Sequence, residues 1–462
     1  MLSDLEVFAT PALGDNSYLL VAGRDAVLID PQRDVWRFLS AAEARGLTVR
    51  CVLETHVHND YVSGALEVRA ATGAEVVAPA GGNYAFPHRA AAEGDEIGLN
   101  GLTLRAMETP GHTPEHVAYL VSQGDAPDPV AAFTGGSLIL GSAGRTDLLG
   151  EERTEELTRA QFRSLRRLST LADDTLVLPT HGAGSFCASN APSEERTSTM
   201  GEERDRNPAL LARDEDTFVH QQLSGLLEFP AYYRHMAGIN RSGPAVLGRL
   251  PAVGPLSAED AVRKVESGAW IVDARDRRVF AAAHVPGSIN VELDDAFATY
   301  VGWVVPFGAP LVLLLPEPAD AAVEEALTQL VRVGYEGVEG YLAGGIEAWR
   351  TSGRHLDAYA VGDLDELDRR SGENGGVHVL DVRQPREWET GRIPGSLQVF
   401  VGDLPRRVGE IPRDREVWTI CASGRRASVA ASLLDRAGIR VGLVAREGVP
   451  AWLARNDVTG RR

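Results

Sequence analysis

At 462 residues the chain is too long for a single core, and a prior of ~150 residues per domain divides it into about three. A hydrophobic fraction of 44% with 24% charged residues is that of ordinary globular protein and argues against a disordered chain. The formal net charge of -19 argues against nucleic-acid or anionic-membrane partners, which need clustered Lys and Arg.

The opening MLSDLEVFAT has neither a basic n-region nor a long apolar run, and the most apolar later stretch, Val301 to Pro316, is broken by Gly302, Pro306, Gly308 and Pro310. A soluble cytoplasmic protein with no membrane span is expected. The three cysteines, Cys51, Cys187 and Cys421, are too few for a disulfide framework, so the question is whether one is reactive.

Residues 1 to about 190 alternate β-rich runs (SYLLVAG, AVLID, VRCVLE, AEVVAP, LTLRAME, HVAYLV, TLVLPT) with helical patterns at Asp34 to Arg45 and Thr154 to Leu171. A helical stretch, Glu194 to Ala237, follows, and the Gly- and Pro-bearing stretch from Asn240 to Pro255 reads as a linker. The pattern predicts an α/β domain with a helical extension over residues 1–240.

Three strand-end loops in this domain each carry histidine. In THVHNDY, residues i and i+2 leaving a strand share a face, so His56 and His58 converge, with Asp60 two further on. TPGHTPEHV supplies His112 after a Pro-Gly turn, and LVLPTHGAG supplies His181. That pattern predicts a metal site at one edge of a sheet sandwich, whereas His88, His220, His235 and His355 read as ordinary surface or core residues. For Asp60 the competing expectation is an N-cap for a helix beginning at Tyr61.

Beyond the linker lies an internal repeat. VDARDRRVFAAAHVPGSINVEL matches LDVRQPREWETGRIPGSLQVFV, pairing Asp273 with Asp381, Arg275 with Arg383, and Pro286-Gly287-Ser288 with Pro394-Gly395-Ser396, all at an offset of 108. GGIEAW and EGVPAW repeat at an offset of 103, so two copies of one domain are predicted, over 255–355 and 360–460. In the second copy the apolar run EVWTI leads into CASGRRASVAASLLDRAG. Cys421 then stands where loop N–H groups and the positive end of a helix favour an anion, with Arg425 and Arg426 adjacent; the thiolate is the nucleophilic form. In the first copy the corresponding PLVLLLPEPADA contains no cysteine, which makes it a scaffold or docking copy with Arg275 and His284 structural.

Both copies resemble the rhodanese-like sulfurtransferase family, and Cys-x-x-Gly-x-Arg resembles its active loop. The resemblance implies Cys421 as nucleophile, Arg425 and Arg426 assisting it by binding an anionic donor, and Ser423 and Gly424 lining the substrate. The six-residue span of Cys421 to Arg426 is that of the sulfurtransferases rather than of related phosphatases.

Residues 1 to about 190 resemble the metallo-β-lactamase superfamily, in the branch of the persulfide dioxygenases and glyoxalase II. The overall expectation is therefore an α/β multidomain chain: an αββα sandwich followed by two rhodanese-like domains with parallel sheets. The family motif His-x-His-x-Asp-His appears as His56, His58, Asp60 and Tyr61, followed by His112 and His181. Its bridging Asp falls at Gly136, which cannot ligate. The resemblance leaves His56, His58 and His112, supplemented by Asp60, His181 or Asp147, to hold one divalent metal, Fe(II) by preference and Zn(II) as the alternative. Restoring His at 61 and Asp at 136 is the expected route to a second ion. The AGRTDLL run resembles the Gly-Arg-Thr-Asp segment of persulfide dioxygenases, implying that Arg145 and Asp147 contact substrate; a polar turn is the plainer alternative.

Together these features point to a sulfur-metabolism enzyme. It oxidises a thiol persulfide, such as that of glutathione, at a mononuclear metal and carries sulfane sulfur on Cys421 to or from thiosulfate, sulfite or thiols. Two alternatives remain open: a sulfurtransferase with the first domain as scaffold, or a mononuclear zinc hydrolase.

Overall fold

A computed structural model describes residues 4–457 apart from 125, 127, 191–192 and 373–375. The chain forms two compact units, Met1–Leu250 with Val331–Gly334, and Pro251–Leu330 with Tyr335–Arg462.

The first unit is a sandwich of two six-stranded sheets. One runs in chain order through Leu5–Thr10, Asp15–Ala22, Asp25–Ile29, Thr48–Leu53, Glu75–Pro79 and Arg89–Ala91. The other is ordered Ser198–Thr199, Leu176–Pro179, Ala131–Gly135, Val117–Gln123, Leu102–Glu108 and Glu96–Leu99. Strand periodicity sorts the apolar residues into layers. Tyr18 and Leu20 face the second sheet and pack with Leu104, Tyr119 and Phe133. Their neighbours Leu19 and Val21 face outward against Phe38 of the helix Trp36–Ala44 and Leu66 of the helix Ala65–Thr72. The outer face of the second sheet is covered by Leu165 and Leu168 of the helix Glu151–Leu168. This is the expected αββα layering.

Register brings the histidine loops to one edge. Parallel pairing of Ile29 with Leu53 places Asp30 beside Glu54 and the His56 loop, and pairing of Gly135 with Pro179 places Gly136 beside the His181 loop.

Three expectations are corrected here. No helix begins at Tyr61: the next helix starts at Ala65, so Asp60 is not a helix cap. The predicted long helical stretch is broken into Met200–Arg206, Pro208–Leu211, Glu215–Ser224 and Tyr233–Ser242. The first break occurs because Asn207 caps the following turn, accepting from Ala209 N–H, and Pro208 occupies its first position. The last of these helices runs into the predicted linker, and Asn240 is a buried pin rather than a linker residue. It donates to the carbonyls of His58 (2.9 Å) and Tyr61 (2.8 Å) and accepts from Ser63 N–H.

The second unit contains two five-stranded parallel sheets of identical order. The first copy is arranged Pro255–Leu256, Val338–Leu342, Leu311–Leu314, Trp270–Asp273 and Ile289–Asn290. The second is arranged Ala360–Gly362, Val441–Val444, Val417–Ile420, His378–Asp381 and Leu397–Gln398. Each copy is pinned by the same buried ion pair at the end of the strand next to its central one. Asp273 holds Arg275, which donates to Ala283 O; Asp381 holds Arg383, which donates to Gly391 O. Removing one partner of such a pair costs about 3–5 kcal/mol, which explains why both copies keep it whatever their chemistry. No helix among the described residues is long and apolar enough to cross a membrane.

Candidate metal centre and thiol site

His56, His58, Asp60, His112 and His181 are all fully buried and lie together. Their ligand atoms form overlapping clusters, His56–His112–His181 and His58–Asp60–His181, with a third of Asp30–His56–His58. The hydrogen bonds behind each ring fix which nitrogen is free. Thr55 Oγ1 donates to Asp30 (2.7 Å) and therefore accepts from His56 Nδ1 (2.8 Å), leaving the His56 Nε2 lone pair exposed to the cluster. His112 Nδ1 donates to Arg145 O at 2.7 Å, and His112 Nε2 has no partner among the described residues. His181 Nδ1 lies 2.9 Å from Asp15 Oδ1, which turns its Nε2 to within 3.4 Å of His56 Nε2. His58 is reversed: its Nε2 faces Glu54 (3.0 Å) and Asp30 (3.2 Å), and its Nδ1 is the unpartnered atom. Neither carboxylate oxygen of Asp60 has a hydrogen-bond partner among the described residues, although Oδ2 lies 3.4 Å from His181 Nδ1.

Unpartnered buried polar atoms are rare and costly, and among the described residues His58 Nδ1, His112 Nε2 and both Asp60 oxygens are left so, beside the facing Nε2 atoms of His56 and His181. The electrostatics agree. Burial holds His56 and His112 well below the ordinary imidazole range and lowers His181, so these rings are neutral ligands. Burial also pushes the carboxyls of Asp15 up to about 8 and Asp60 to about 7. His58 is the exception, since Asp30 and Glu54 overcome burial and raise it well above its usual value. Neutral rings beside buried carboxyls whose burial outweighs the help of His58 are the surroundings a divalent cation satisfies. The residues present fit one such ion.

The absent family groups are replaced by packing. Tyr61 stacks on His58 (centroids 4.4 Å apart) and donates to Asp30 O, so it buttresses a ligand and does not join the cluster. At Gly136 a Cβ would stand 2.2 Å from His112 Cδ2, so the expected restoration of Asp at this position collides with a ligand.

Several participants were not legible from the local pattern. Asp30 gathers Thr55, His58 and Thr180. His116 stacks on His56, and its Nε2 accepts from Gly136 N–H at 2.9 Å, which fixes the glycine turn. Tyr232 donates to Asp60 O. Arg145, expected to meet substrate, is 1% exposed; its guanidinium is bidentate on Asp147, donates to Phe186 O and lies over the Phe229 ring. Its visible contribution to the site is the backbone carbonyl that orients His112.

In the second copy, Cys421 ends the strand Val417–Ile420, and its Sγ accepts from Gly424 N–H at 3.1 Å. Gly424 has φ +91 and caps the helix Arg425–Arg436, a left-handed turn suited to glycine. Arg426 does not stand open for an anionic donor: it forms a bidentate pair with Glu387. Arg425 pairs with Asp294 of the first copy at 2.7 Å, and Ser423 offers its carbonyl to Arg277, also of the first copy. Burial pushes the Cys51 thiol up to about 12 and that of Cys187 well above its usual range, so neither competes as a nucleophile at neutral pH.

The model of the metallo-beta-lactamase superfamily matches residues 10–181, and that of the rhodanese-like domain matches 257–352 and 363–455. The chain belongs to the metallo-beta-lactamase superfamily, with two rhodanese-like domains attached. Among curated relatives, a hydroxyacylglutathione hydrolase of Cereibacter sphaeroides is 36% identical over 191 residues, covering 40% of this chain and 69% of that protein. Another from the same species is 32% identical over 266 residues, covering 56% of this chain and 94% of its own length. Among solved structures, a metallo-beta-lactamase from Staphylococcus aureus superposes with TM-score 0.66 at 27% identity, covering 73% of this chain and 98% of that one. That likeness takes in more of this chain than the superfamily model alone matches.

Proposed function

We propose that the chain is a sulfur-metabolism enzyme that oxidises a thiol persulfide at a single divalent metal and transfers sulfane sulfur on Cys421. The observation that carries this reading is the convergence of buried ligand atoms on one site that lacks the groups for a second ion, in a chain that also holds a Cys-x-x-Gly-x-Arg loop. His56, His112 and His181 would hold the metal, with Asp60 and His58 beside them, a donor set suited to Fe(II) and also to Zn(II). Bound iron would supply redox chemistry with dioxygen. The chain's own part is orientation: Thr55, Arg145 O and Asp15 hold three rings in one tautomer, and full burial excludes bulk water.

The two reactions share a product. Oxidation of RSSH with one O2 and one water yields RSH, sulfite and two protons. At the second site the Cys421 thiolate attacks the outer sulfur of thiosulfate; the new S–S bond forms as the old one breaks, releasing sulfite. Run in reverse, sulfite takes sulfur from the Cys421 persulfide, so the product of one centre is an acceptor for the other.

A second reading, thioester hydrolysis, is favoured by the name of the hydroxyacylglutathione hydrolases. Metal analysis beside two assays separates the readings. About one iron per chain with oxygen uptake on glutathione persulfide is the expected result. Zinc with hydrolysis of a glutathione thioester and no oxygen uptake would replace it with the hydrolase. No metal under iron-replete expression would leave a sulfurtransferase alone.

A further inference from the structure

Every arginine of the Cys421 loop is matched by a carboxylate, Arg426 by Glu387 and Arg425 by Asp294. A third arginine reaches the loop from the copy that has no cysteine. Arg277 opens the helix Arg277–Ala282 and is held by Glu292, which accepts from its backbone N–H (2.8 Å) and its Nε (3.0 Å). Its Nη1 donates to the carbonyl of Ser423 at 2.8 Å and approaches that of Ala445 at 3.4 Å. The fit is tight, since a Cβ on Gly424 would stand 2.6 Å from Arg277 Nη1.

Two features make this contact more than incidental. Ser423 C=O and Gly424 N–H belong to one planar trans peptide, so they point in opposite directions. Drawing the carbonyl toward Arg277 therefore aims the N–H at Cys421 Sγ, and the charged donor polarises that peptide further. The residues are also particular to the cysteine-less copy: at the offset of 108, Arg277 and Glu292 correspond to Pro385 and Phe400. The same copy grips the helix behind the loop, where buried Asn290 meets Ser428 (2.5 Å) and Ser432 (2.9 Å).

We infer that the cysteine-less copy is the clamp of the thiol loop, with Arg277 the positioning residue that turns the Gly424 N–H onto Cys421 Sγ. The inference rests on the sulfurtransferase reading of Cys421. Its test compares Arg277→Gln with Arg277→Lys in the full chain at near-neutral pH. One measurement is the rate of Cys421 alkylation by iodoacetamide, read by peptide mass spectrometry with no sulfur donor present. The other is sulfur transfer from thiosulfate to cyanide. Arg277→Gln should slow both by about tenfold, the sulfur transfer through kcat rather than KM, and Arg277→Lys should recover most of the loss. Native rates in Arg277→Gln would overturn the inference. Equal losses in both variants with a lowered melting temperature would also overturn it, because they mark a contact that only supports the fold. Alkylation needs no donor, so sulfur transfer persisting in Cys421→Ser would reject the sulfurtransferase reading while alkylation still decides the role of Arg277.

Discussion

The histidine cluster and the Cys421 loop hold reactive groups inside the protein by opposite means. In the cluster, the fixed partners stand behind the rings, and the inward atoms of His56, His58, Asp60, His112 and His181 gather at one place, those of His58, Asp60 and His112 without a hydrogen-bond partner among the described residues. In the loop, each arginine meets a carboxylate and the sulfur meets a backbone N–H. One centre is complete only with a cation; the other is complete as the chain folds. Metal content is thus the measure of the first, and backbone geometry the measure of the second.

That contrast breaks most sharply at the sulfur. Cys421→Ser should lower thiosulfate sulfur transfer by more than about a thousandfold, because a hydroxyl neither ionises comparably nor forms a persulfide, while metal content stays at the native level. Turnover surviving in this variant would place the chemistry elsewhere.

The reciprocal change is His112→Ala. It should weaken metal retention by more than about tenfold, the loss that follows removal of an outer partner alone, yet leave sulfur transfer intact. Metal analysis by plasma spectrometry beside the thiosulfate assay checks both arms. Undiminished metal would remove His112 from the ligand set.

What was legible in the sequence follows from locality. Two-residue alternation in SYLLVA separates the two cores, and His56, His58, His112 and His181 announce themselves because each lies on a loop that leaves a strand. Cys421 is legible because the strand, loop and helix that serve it are contiguous. The partners were not legible, since chain distance hides them: Asp15 orients His181 across 166 positions, and Asn240 pins the His58 loop across 182. A Gly- and Pro-rich stretch gave no signal that its first residue is buried. The pairing of Arg426 with Glu387 was missed for the same reason, and it changes the role expected of that arginine.

A smaller effect is expected at Gly136, where the metal centre has no room for added atoms. Gly136→Asp should weaken metal binding by about tenfold and not admit a second ion, because its Cβ would stand 2.2 Å from His112 Cδ2, on a ring already fixed by Arg145 O. Gly136→Ala should share the defect, as the clash begins at the Cβ. A rise toward two metals per chain in Gly136→Asp would show that the His112 loop can move aside.

The smallest effect is expected where the cysteine-less copy is given a cysteine. Leu314 pairs with Asp273 as Ile420 pairs with Asp381, so Leu315 occupies the place of Cys421, and in both copies the helix begins four residues later, at Ala319 and Arg425. Leu315→Cys therefore puts a thiol at the right strand end with the right spacing. Its surroundings are wrong: Pro318 stands where Gly424 donates its N–H, and Ala319 and Asp320 replace Arg425 and Arg426. A proline has no N–H to give, and an acidic first turn repels the thiolate that the reaction needs. In a Cys421→Ser background, Leu315→Cys should restore no measurable sulfur transfer, read by the cyanide assay and by the absence of added sulfur on the peptide that carries the introduced thiol. Persulfide formation on that thiol would show that the strand end alone suffices and that the loop's amide and arginines are dispensable.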